Sequence, residues 1–243
     1  MGRWVQPLRV CPQGRHKYRM YYRGLPHPEH SGYYNNVCYA ESQDGVHWTR
    51  PDISKYEVNG KLANNVILKK EPDSKYVQGK VGEWVCHNFC PFVDDNPATP
   101  PSHRYKAVGG TGPGLSGLFS ADGIQWDFIQ EEKIFTDGAF DSLNVPFWSS
   151  VEECYVLYFR SGKDVNGSGY RWISRTTSPD FINWNKSAHM TFGDIPPEHY
   201  YTNGTHPYFR APHIYVAMPG RRALTDAQHK RLRLDPTKWE AND

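Results

Sequence analysis

The sequence predicts an all-β protein, and three observations support this fold class. Aromatic residues make up 14% of the 243 residues, a composition typical of half-buried strands. The 21 glycines and 19 prolines suit many short strands separated by turns. The third observation is a heptapeptide, Ser-x-Asp-x-(Val/Ile)-x-Trp, which occurs at Ser42–Trp48, Ser120–Trp126 and Ser178–Trp184. Self-similarity of this kind indicates a fold assembled from repeated units.

Each copy of the heptapeptide closes a pair of predicted strands. The first strand of each pair lies in an aromatic, alternating run, at Lys17–Gly24, Arg104–Gly110 and Cys154–Ser161. The heptapeptide then forms a tight turn, because Gly45 and Gly123 tolerate the positive φ that the turn needs. Its Asp can accept hydrogen bonds from backbone amides, so we interpret its Ser and Asp as structural. Its Trp is expected to cover the turn and to be largely buried.

A further recurring element precedes each aromatic run. A polar cluster is followed by proline, an aromatic residue and a strand, at His87–Asp95, Phe140–Trp148 and Thr205–Ala217. The repeated unit is therefore a small sheet of about four strands, which predicts a β-propeller blade. The uneven spacing of the copies is explained by insertions between blades, such as the long polar stretch Pro51–Gly82.

The predicted blades cover about residues 3–50, 84–130, 138–187 and 203–219. Residues 1–219 would then form a partial propeller of about three and a half blades, and residues 220–243 a short helical or irregular tail. An open array of blades leaves exposed sheet edges, which native folds avoid. We therefore expect this chain to be a fragment of a longer protein.

The repeated Ser-x-Asp-Gly-x-x-Trp and the Pro-aromatic inner strands resemble the five-bladed propeller glycosidases of the invertase-like, arabinanase-like and mannoside-phosphorylase-like groups. The stretches "FDSLNVPFW", "RWISRTTSPDFINW" and "YTNGTHPYFRAPHIYVAMP" look more closely like a bacterial group described as family-32-like glycosyl hydrolases. The resemblance covers roughly Arg3 to Asp243. It implies a sugar-binding funnel at the propeller axis, lined by polar residues of the inner strands.

Applied to this sequence, the resemblance nominates polar residues from three blades: His87, Asn88, Asp141, Asn144, Thr205, Arg210 and His213. Glycosidases of this kind use two carboxyl groups. Asp141 is the first candidate, as general acid or stabiliser, and Glu83, four residues before His87, is the second. Aromatic walls for a sugar ring are expected from Trp84, Trp148 and Tyr208. The second blade departs from the family pattern, because His87 and Asn88 stand where a stabilising Asp is expected.

Other carboxylates are interpreted as turn formers. Glu152 and Glu153 lie in a predicted turn between two strands of one blade, and Asp94 and Asp95 follow a Pro-Phe strand. Asp137 precedes a glycine in a similar setting. A structural role is also open for the funnel residues, since an Asp can cap a turn and an Arg can pair with a carboxylate between blades.

Three functions are compatible with these residues. The first is a glycoside hydrolase in which His87, Asp141, Arg210 and His213 converge at the axis. The second is an inverting glycoside phosphorylase, which needs one protein acid and cations to hold phosphate. The third is a non-catalytic carbohydrate-binding propeller. Each predicts a carbohydrate partner.

The bulk properties argue against other classes of function. A net charge of +2 gives no electrostatic reason to expect nucleic acid or a membrane surface as a partner. No apolar run approaches the ~18 residues that a membrane-spanning helix needs. The segment Cys86-His87-x-x-Cys90 lacks a fourth zinc ligand at recognisable spacing, so the cysteines are interpreted as buried thiols. We expect no metal and no cofactor.

Overall fold

The structure of the protein, a computed structural model, describes residues 7–12, 17–24, 36–69 and 85–222. Regular structure in these ranges is strand, apart from one short 3-10 turn at Pro101–His103. The predicted all-β fold class is confirmed. The predicted tail after Pro219 starts with a two-residue strand, and residues 223–243 lie outside the described part of the chain.

The first sheet, blade one, is antiparallel and follows the order of the chain, with a fifth strand added to β3. Its strands are β1 Pro7–Pro12, β2 Tyr18–Gly24, β3 Asn36–Ser42, β4 Trp48–Thr49 and β5 Val66–Leu68. Strand β5 lies inside the stretch that the sequence predicts to be a polar insertion. Its three residues are all apolar and buried against the edge of β3, so part of this insertion belongs to the sheet.

Blades two and three are four-stranded antiparallel sheets, each in chain order. Blade two contains β6 Cys90–Val93, β7 Tyr105–Gly109, β8 Ser116–Ser120 and β9 Asp127–Phe128. Blade three contains β10 Val145–Ser149, β11 Cys154–Val165, β12 Ser168–Ser178 and β13 Ala188–His189. Strands β11 and β12 are long, and they extend as a hairpin beyond the five residues that pair β11 with β10.

Blade four consists of two pairs of strands in the described residues. Its strands are β14 His199–Tyr200, β15 His206–Tyr208, β16 Ala211–Val216 and β17 Arg221–Arg222. Strand β15 forms a hairpin with β16, and β14 pairs with β17. Large apolar side chains of this blade are exposed, among them Phe209 at 80% and Met218 at 86%.

The inner strands of the four blades, β1, β6, β10 and β15, are neighbours in space. Strand β1 contacts β6, β6 contacts β10, and β10 contacts β15. These strands therefore surround a common axis, and later strands of each blade lie further out, as in a β-propeller. We call the end of the axis at which β6, β10 and β15 begin the entry end, and the opposite end the far end.

The hydrophobic cores lie between consecutive blades. Between blades one and two, the rings of Tyr21, Phe89 and Trp126 meet edge to face. Blades two and three bury a second cluster, which includes Phe92 and Phe181, at 5.7 Å between ring centroids. A third cluster joins blades three and four around Phe147, Tyr158, Trp172, Tyr200 and Tyr215. Each sheet is thus stabilised by the aromatic side chains of its neighbours.

The three heptapeptides form the same turn. Each Ser Oγ accepts the amide of the residue three positions later, at 2.8 Å for Ser42, 2.8 Å for Ser120 and 2.9 Å for Ser178. Each Asp Oδ1 accepts the amides of the residues two and three positions after it. Partial burial opposes the charged form of Asp180, yet these amides lower its pKa to about 2. The structural interpretation of the Ser and Asp agrees with this geometry.

The third copy has Phe181 where the others have glycine. Phe181 adopts φ 70°, in the left-handed region that glycine favours, as do Gly45 at 78° and Gly123 at 74°. The side chain of Phe181 is fully buried in the second core, against Phe92 and Tyr155. Burial of this ring offsets the backbone strain.

The expectation that all three heptapeptide tryptophans are largely buried is wrong for two of them. Trp126 is 1% exposed, whereas Trp48 and Trp184 are half-buried. Trp48 and Trp126 make the same hydrogen bond, from Nε1 to the carbonyl of the glycine three residues earlier. Burial differs because blade one covers Trp126, while no described sheet covers Trp48 in the same way.

Asp94 has a larger role than the predicted turn former. Its Oδ1 accepts the amide of Asn96 at 3.0 Å, as a turn former does, but its carboxylate is fully buried and pairs with Lys106. The Oδ2 also accepts Thr99 Oγ1 at 2.6 Å and Tyr155 OH at 2.8 Å. Because Tyr155 belongs to blade three, this polar cluster joins blades two and three at the far end.

We expect Trp126→Ala to lower the free energy of unfolding by about 3–5 kcal/mol, because it removes a buried indole from the first core. Urea denaturation followed by circular dichroism measures this change. Trp48→Ala, which truncates the half-buried indole of the equivalent turn in blade one, serves as the control and should lower the free energy of unfolding clearly less. An equal loss of stability in the two variants would contradict the packing described for Trp126.

Replacement of Asp94 by Asn should destabilise the protein by about 3–5 kcal/mol, since it leaves the Lys106 ammonium buried without its counter-charge. Glu41→Gln, which breaks the solvent-screened pair between Lys17 and Glu41, should cost about 0–1 kcal/mol. Chemical denaturation of both variants tests the contrast. If Asp94→Asn destabilised the protein no more than Glu41→Gln does, the buried ion pair would not contribute to stability as described.

Candidate functional site

The candidate site lies at the entry end, where residues that precede the first strands of successive blades come together. His87 and Asn88 precede β6, and Asp141 and Asn144 precede β10. Asn88 donates to the Phe140 carbonyl at 2.9 Å, and Asn203, which precedes β15, donates to the Leu143 carbonyl at 3.4 Å. The starting points of β6, β10 and β15 therefore meet at one end. The sequence-based nomination of these four residues therefore corresponds to one region of the structure.

Asn88 joins three blades through its side-chain amide. Its Oδ1 accepts Arg23 Nη2 of blade one at 3.2 Å, and its Nδ2 donates to the carbonyl of Phe140, which leads into blade three, at 2.9 Å. The residue is 4% exposed. Asn88 therefore fixes the relative positions of the blades at the entry end, and it is not placed for direct contact with a ligand.

Asn144 has a similar positioning role within blade three. Its Nδ2 donates to the same Phe140 carbonyl at 3.3 Å, and its Oδ1 accepts the amide of Arg160 at 3.3 Å. Phe140 itself adopts a φ of 51°. Two buried amides thus hold the strained peptide that precedes Asp141. The backbone of Asp141 is fixed by this arrangement.

Asp141 presents its carboxylate at the surface of the site. Half of its side chain is exposed, and Oδ2 accepts Arg160 Nη1 at 2.8 Å. The Arg160 side chain is only 14% exposed, so the guanidinium belongs to the wall of the site. The result is an anionic acceptor, oriented by an arginine and open on one side to solvent.

Arg23 and Tyr201 complete the entry end. Arg23 reaches from the end of β2 and donates to the carbonyl of His87 as well as to Asn88. Burial lowers the pKa of Arg23, and the nearby Tyr201 opposes this shift. Tyr201 of blade four is 42% exposed, and its carbonyl accepts Ser142 Oγ at 2.8 Å. A second guanidinium and a phenol therefore lie beside the region of Asp141.

Arg210 and His213 lie elsewhere. Arg210 occupies the turn between β15 and β16, and His213 lies within β16, so both are on the far-end half of this hairpin and both are exposed. The prediction treats them as residues that begin an inner strand, whereas they follow the inner strand β15. The structure therefore does not bring them to Asp141, in contrast to the expected convergence.

The predicted aromatic walls are also distributed differently. Trp148 lies in β10, and its ring packs against Tyr155 at 4.9 Å between centroids, in the core between blades two and three. Tyr208 is partly exposed, but it ends β15 and so points to the far-end region. Glu83, the second candidate carboxylate, and Trp84 lie outside the described residues.

Sequence analysis misses three residues of the entry end, Arg23, Arg160 and Tyr201. A signal for the arginines is present, because each follows a pair of aromatic residues in the second strand of its blade, in "YYRG" and "LYFRS". A charged residue directly after two aromatic residues interrupts the apolar run of the strand, and this marks both arginines. No comparable pattern marks Tyr201.

Neither a metal site nor a membrane span is found in the part of the chain that is described. No group of three or more His, Cys, Asp and Glu side chains there is arranged to hold a metal ion. Cys86 and Cys90 are buried thiols. None of the helical structure in the described ranges is long and apolar enough to cross a membrane.

Comparison with known proteins is informative at the level of the fold. No protein-family model matches the chain, and no curated protein matches it. Among solved structures, the chain is similar to BT0996 in an RGII complex, with 15% identity, a TM-score of 0.50 and coverage of 83% of this chain and 62% of that chain.

A second similar structure is a fructofuranosidase from Schwanniomyces occidentalis complexed with fructosylnystose. The identity is 15% and the TM-score 0.51, over 80% of this chain and 35% of that chain. The chain thus spans less than two thirds of the length of each of these two proteins. Likeness at this identity establishes the incomplete β-propeller fold, in agreement with the arrangement of the blades.

We expect Asn88→Leu to reduce the free energy of unfolding by about 1–3 kcal/mol, since Arg23 loses an acceptor and the buried Phe140 carbonyl loses a donor. Urea denaturation measures the effect. Gln125→Leu, at an exposed position in the second heptapeptide, is the control and should be close to neutral. If both variants behaved alike, Asn88 would not hold the blades together.

Proposed function

We propose that the protein is a carbohydrate-active propeller that acts on a glycosidic bond at the entry end, with Asp141 as its working carboxylate. The observation that carries this proposal is the geometry of Asp141, a solvent-facing carboxylate fixed by Arg160 and by the locked Phe140 peptide. Around it lie polar groups from all four blades. Likeness of fold to a fructofuranosidase is compatible with this assignment.

The ion pair with Arg160 determines which role suits Asp141. Glycosidic bond cleavage passes through an oxocarbenium-like transition state, in which positive charge develops at the anomeric carbon. A carboxylate that is already paired and oriented can stabilise this charge, or can accept a proton from an attacking water. Protonation of the leaving oxygen then requires another group, and Glu83 remains the candidate that the sequence offers.

Neighbouring donors fit the recognition of a sugar. The guanidinium of Arg23 and the phenol of Tyr201 lie beside the entry end, and both can donate to hydroxyl oxygens of a bound ring. The ring of Tyr201 is partly exposed and could pack on an apolar sugar face. In this proposal Asp141 stabilises the transition state or accepts the proton of the attacking water, while Arg23 and Tyr201 bind the substrate.

Phosphorolysis is the second candidate, and a specific observation favours it. The described entry end carries two arginines, Arg23 and Arg160, and one carboxylate, Asp141. Guanidinium groups bind phosphate oxygens through paired hydrogen bonds, and an inverting phosphorylase needs only one protein acid. Turnover that depends on inorganic phosphate would favour this candidate over hydrolysis, and sugar binding without turnover would favour a binding module.

We expect Asp141→Asn to lower kcat/KM on a cleaved oligosaccharide or aryl glycoside by about 100-fold or more, because an amide neither stabilises the positive charge nor takes a proton. Release of reducing sugar, with and without inorganic phosphate, measures turnover. Asp194→Asn, at an exposed position between β13 and β14, is the matched control. Activity of Asp141→Asn within a few fold of the control would remove Asp141 from catalysis.

A further inference from the structure

A second pocket lies on blade one, at the entry end but further from the axis than Asp141. Its volume is about 350 Å³, and it is bounded by the end of β2, the start of β3 and the loop before β5. Pockets of this size hold small ligands such as a single sugar unit. Its polar lining consists mainly of amides, so we call it the amide pocket: Asn36, Asn59, Lys61, Asn64 and Asn65.

The outer wall of the amide pocket is held rigidly by Asn64. Its Nδ2 donates to the carbonyls of Tyr56 at 2.7 Å, Lys61 at 2.9 Å and Leu62 at 3.0 Å. Asp52 Oδ1 in turn accepts the amide of Asn64 at 3.0 Å. One asparagine thus ties three backbone carbonyls of the loop together. The wall is therefore preorganised, which reduces the ordering cost of binding.

Asn65 has a fixed orientation as well. Its Nδ2 donates to Tyr22 OH at 2.6 Å and to the carbonyl of Tyr39 at 2.7 Å. Both amide hydrogens are engaged, so Oδ1 is the atom that Asn65 can offer as an acceptor. An oriented acceptor beside other amides suits the hydroxyl groups of a sugar.

The charge of the amide pocket is positive. Among the described residues that line it, Lys61 is the charged one, and none is Asp or Glu. Arg50 lies beside it, because it opposes the effect of burial that raises the pKa of Cys38 to about 11. Burial also raises the pKa of Tyr22, and Arg50 opposes this shift too. Asp52, behind Asn64, offsets one of these two cations, so the described residues in and around the pocket keep an excess of positive charge, which favours an anionic ligand with hydroxyl groups.

The amide pocket adjoins the candidate site directly. Gly24 lines the pocket, and its neighbour Arg23 bonds to Asn88 at the entry end. A short oligosaccharide bound at the entry end can therefore place one unit beside Arg23 and the next unit in the pocket.

We propose that the amide pocket is an accessory subsite for an acidic sugar unit, whose carboxylate or phosphate pairs with Lys61 while its hydroxyl groups donate to Asn65 Oδ1. The binding part of this inference concerns blade one alone. Its role as a subsite rests on the proposed action at the entry end.

Binding to the full chain can be measured by isothermal titration calorimetry with galacturonic acid, galactose and glucose 6-phosphate. We expect Lys61→Gln to weaken binding of an acidic sugar about tenfold, the scale of one charge-assisted hydrogen bond. Galactose should be unaffected, and Lys186→Gln, at an exposed lysine of blade three, should bind as the unaltered protein does. If Lys61→Gln weakens the binding of galacturonic acid, the ligand group that the pocket recognises is a carboxylate. If it weakens only the binding of glucose 6-phosphate, that group is a phosphate.

The inference is overturned if neither acidic sugar binds, if galactose binds as well as they do, or if Lys61→Gln has no effect. Asp141→Asn separates this inference from the proposed function, because it should leave Lys61-dependent binding unchanged. Loss of turnover in Asp141→Asn without any Lys61-dependent binding would overturn the subsite alone. Lys61-dependent binding with full turnover in Asp141→Asn would overturn the proposed function alone.

Discussion

Every blade of this protein depends on the next one to bury its aromatic residues. A small antiparallel sheet exposes two faces, and here Tyr21, Phe92 and Phe147 become buried only through contact with a neighbouring blade. Association of the sheets is therefore part of folding rather than a later step. Polar contacts also cross between blades, since the buried carboxylate of Asp94 in blade two accepts a hydrogen bond from Tyr155 of blade three.

The packing between blades also fixes the geometry of the candidate site. Asn88 can bond to Arg23 and to the Phe140 carbonyl only while three blades are in contact. The Phe140–Asp141 peptide, fixed in this way, holds Asp141 in place. A carboxylate positioned in this way needs little reorganisation when charge develops beside it. The rigidity of the site is thus a property of the contacts between blades, and no single strand provides it.

The all-β fold and its repeated turns can be predicted from the sequence because their signals are local. A Ser and an Asp that bond to amides two and three residues away form the same turn in any context, so the heptapeptide was recognisable three times. Sites between blades are not local. Arg23 could not be assigned to the entry end before its contact with Asn88 was known, and Arg210 was misplaced because the end of β15 could not be told from its start. The burial of Trp126, compared with that of Trp48, likewise depends on a neighbouring sheet.

The hairpin of blade four has a consequence for the behaviour of the chain in solution. Strand β16 pairs with β15 on one side only in the described structure, and Phe209, Ile214 and Met218 nearby are exposed. A strand with an unpaired side and large apolar neighbours is a template for strands of other molecules. Within the described residues, this hairpin is therefore a site at which molecules can associate at high concentration, and a lysine in place of Ile214 would protect its edge.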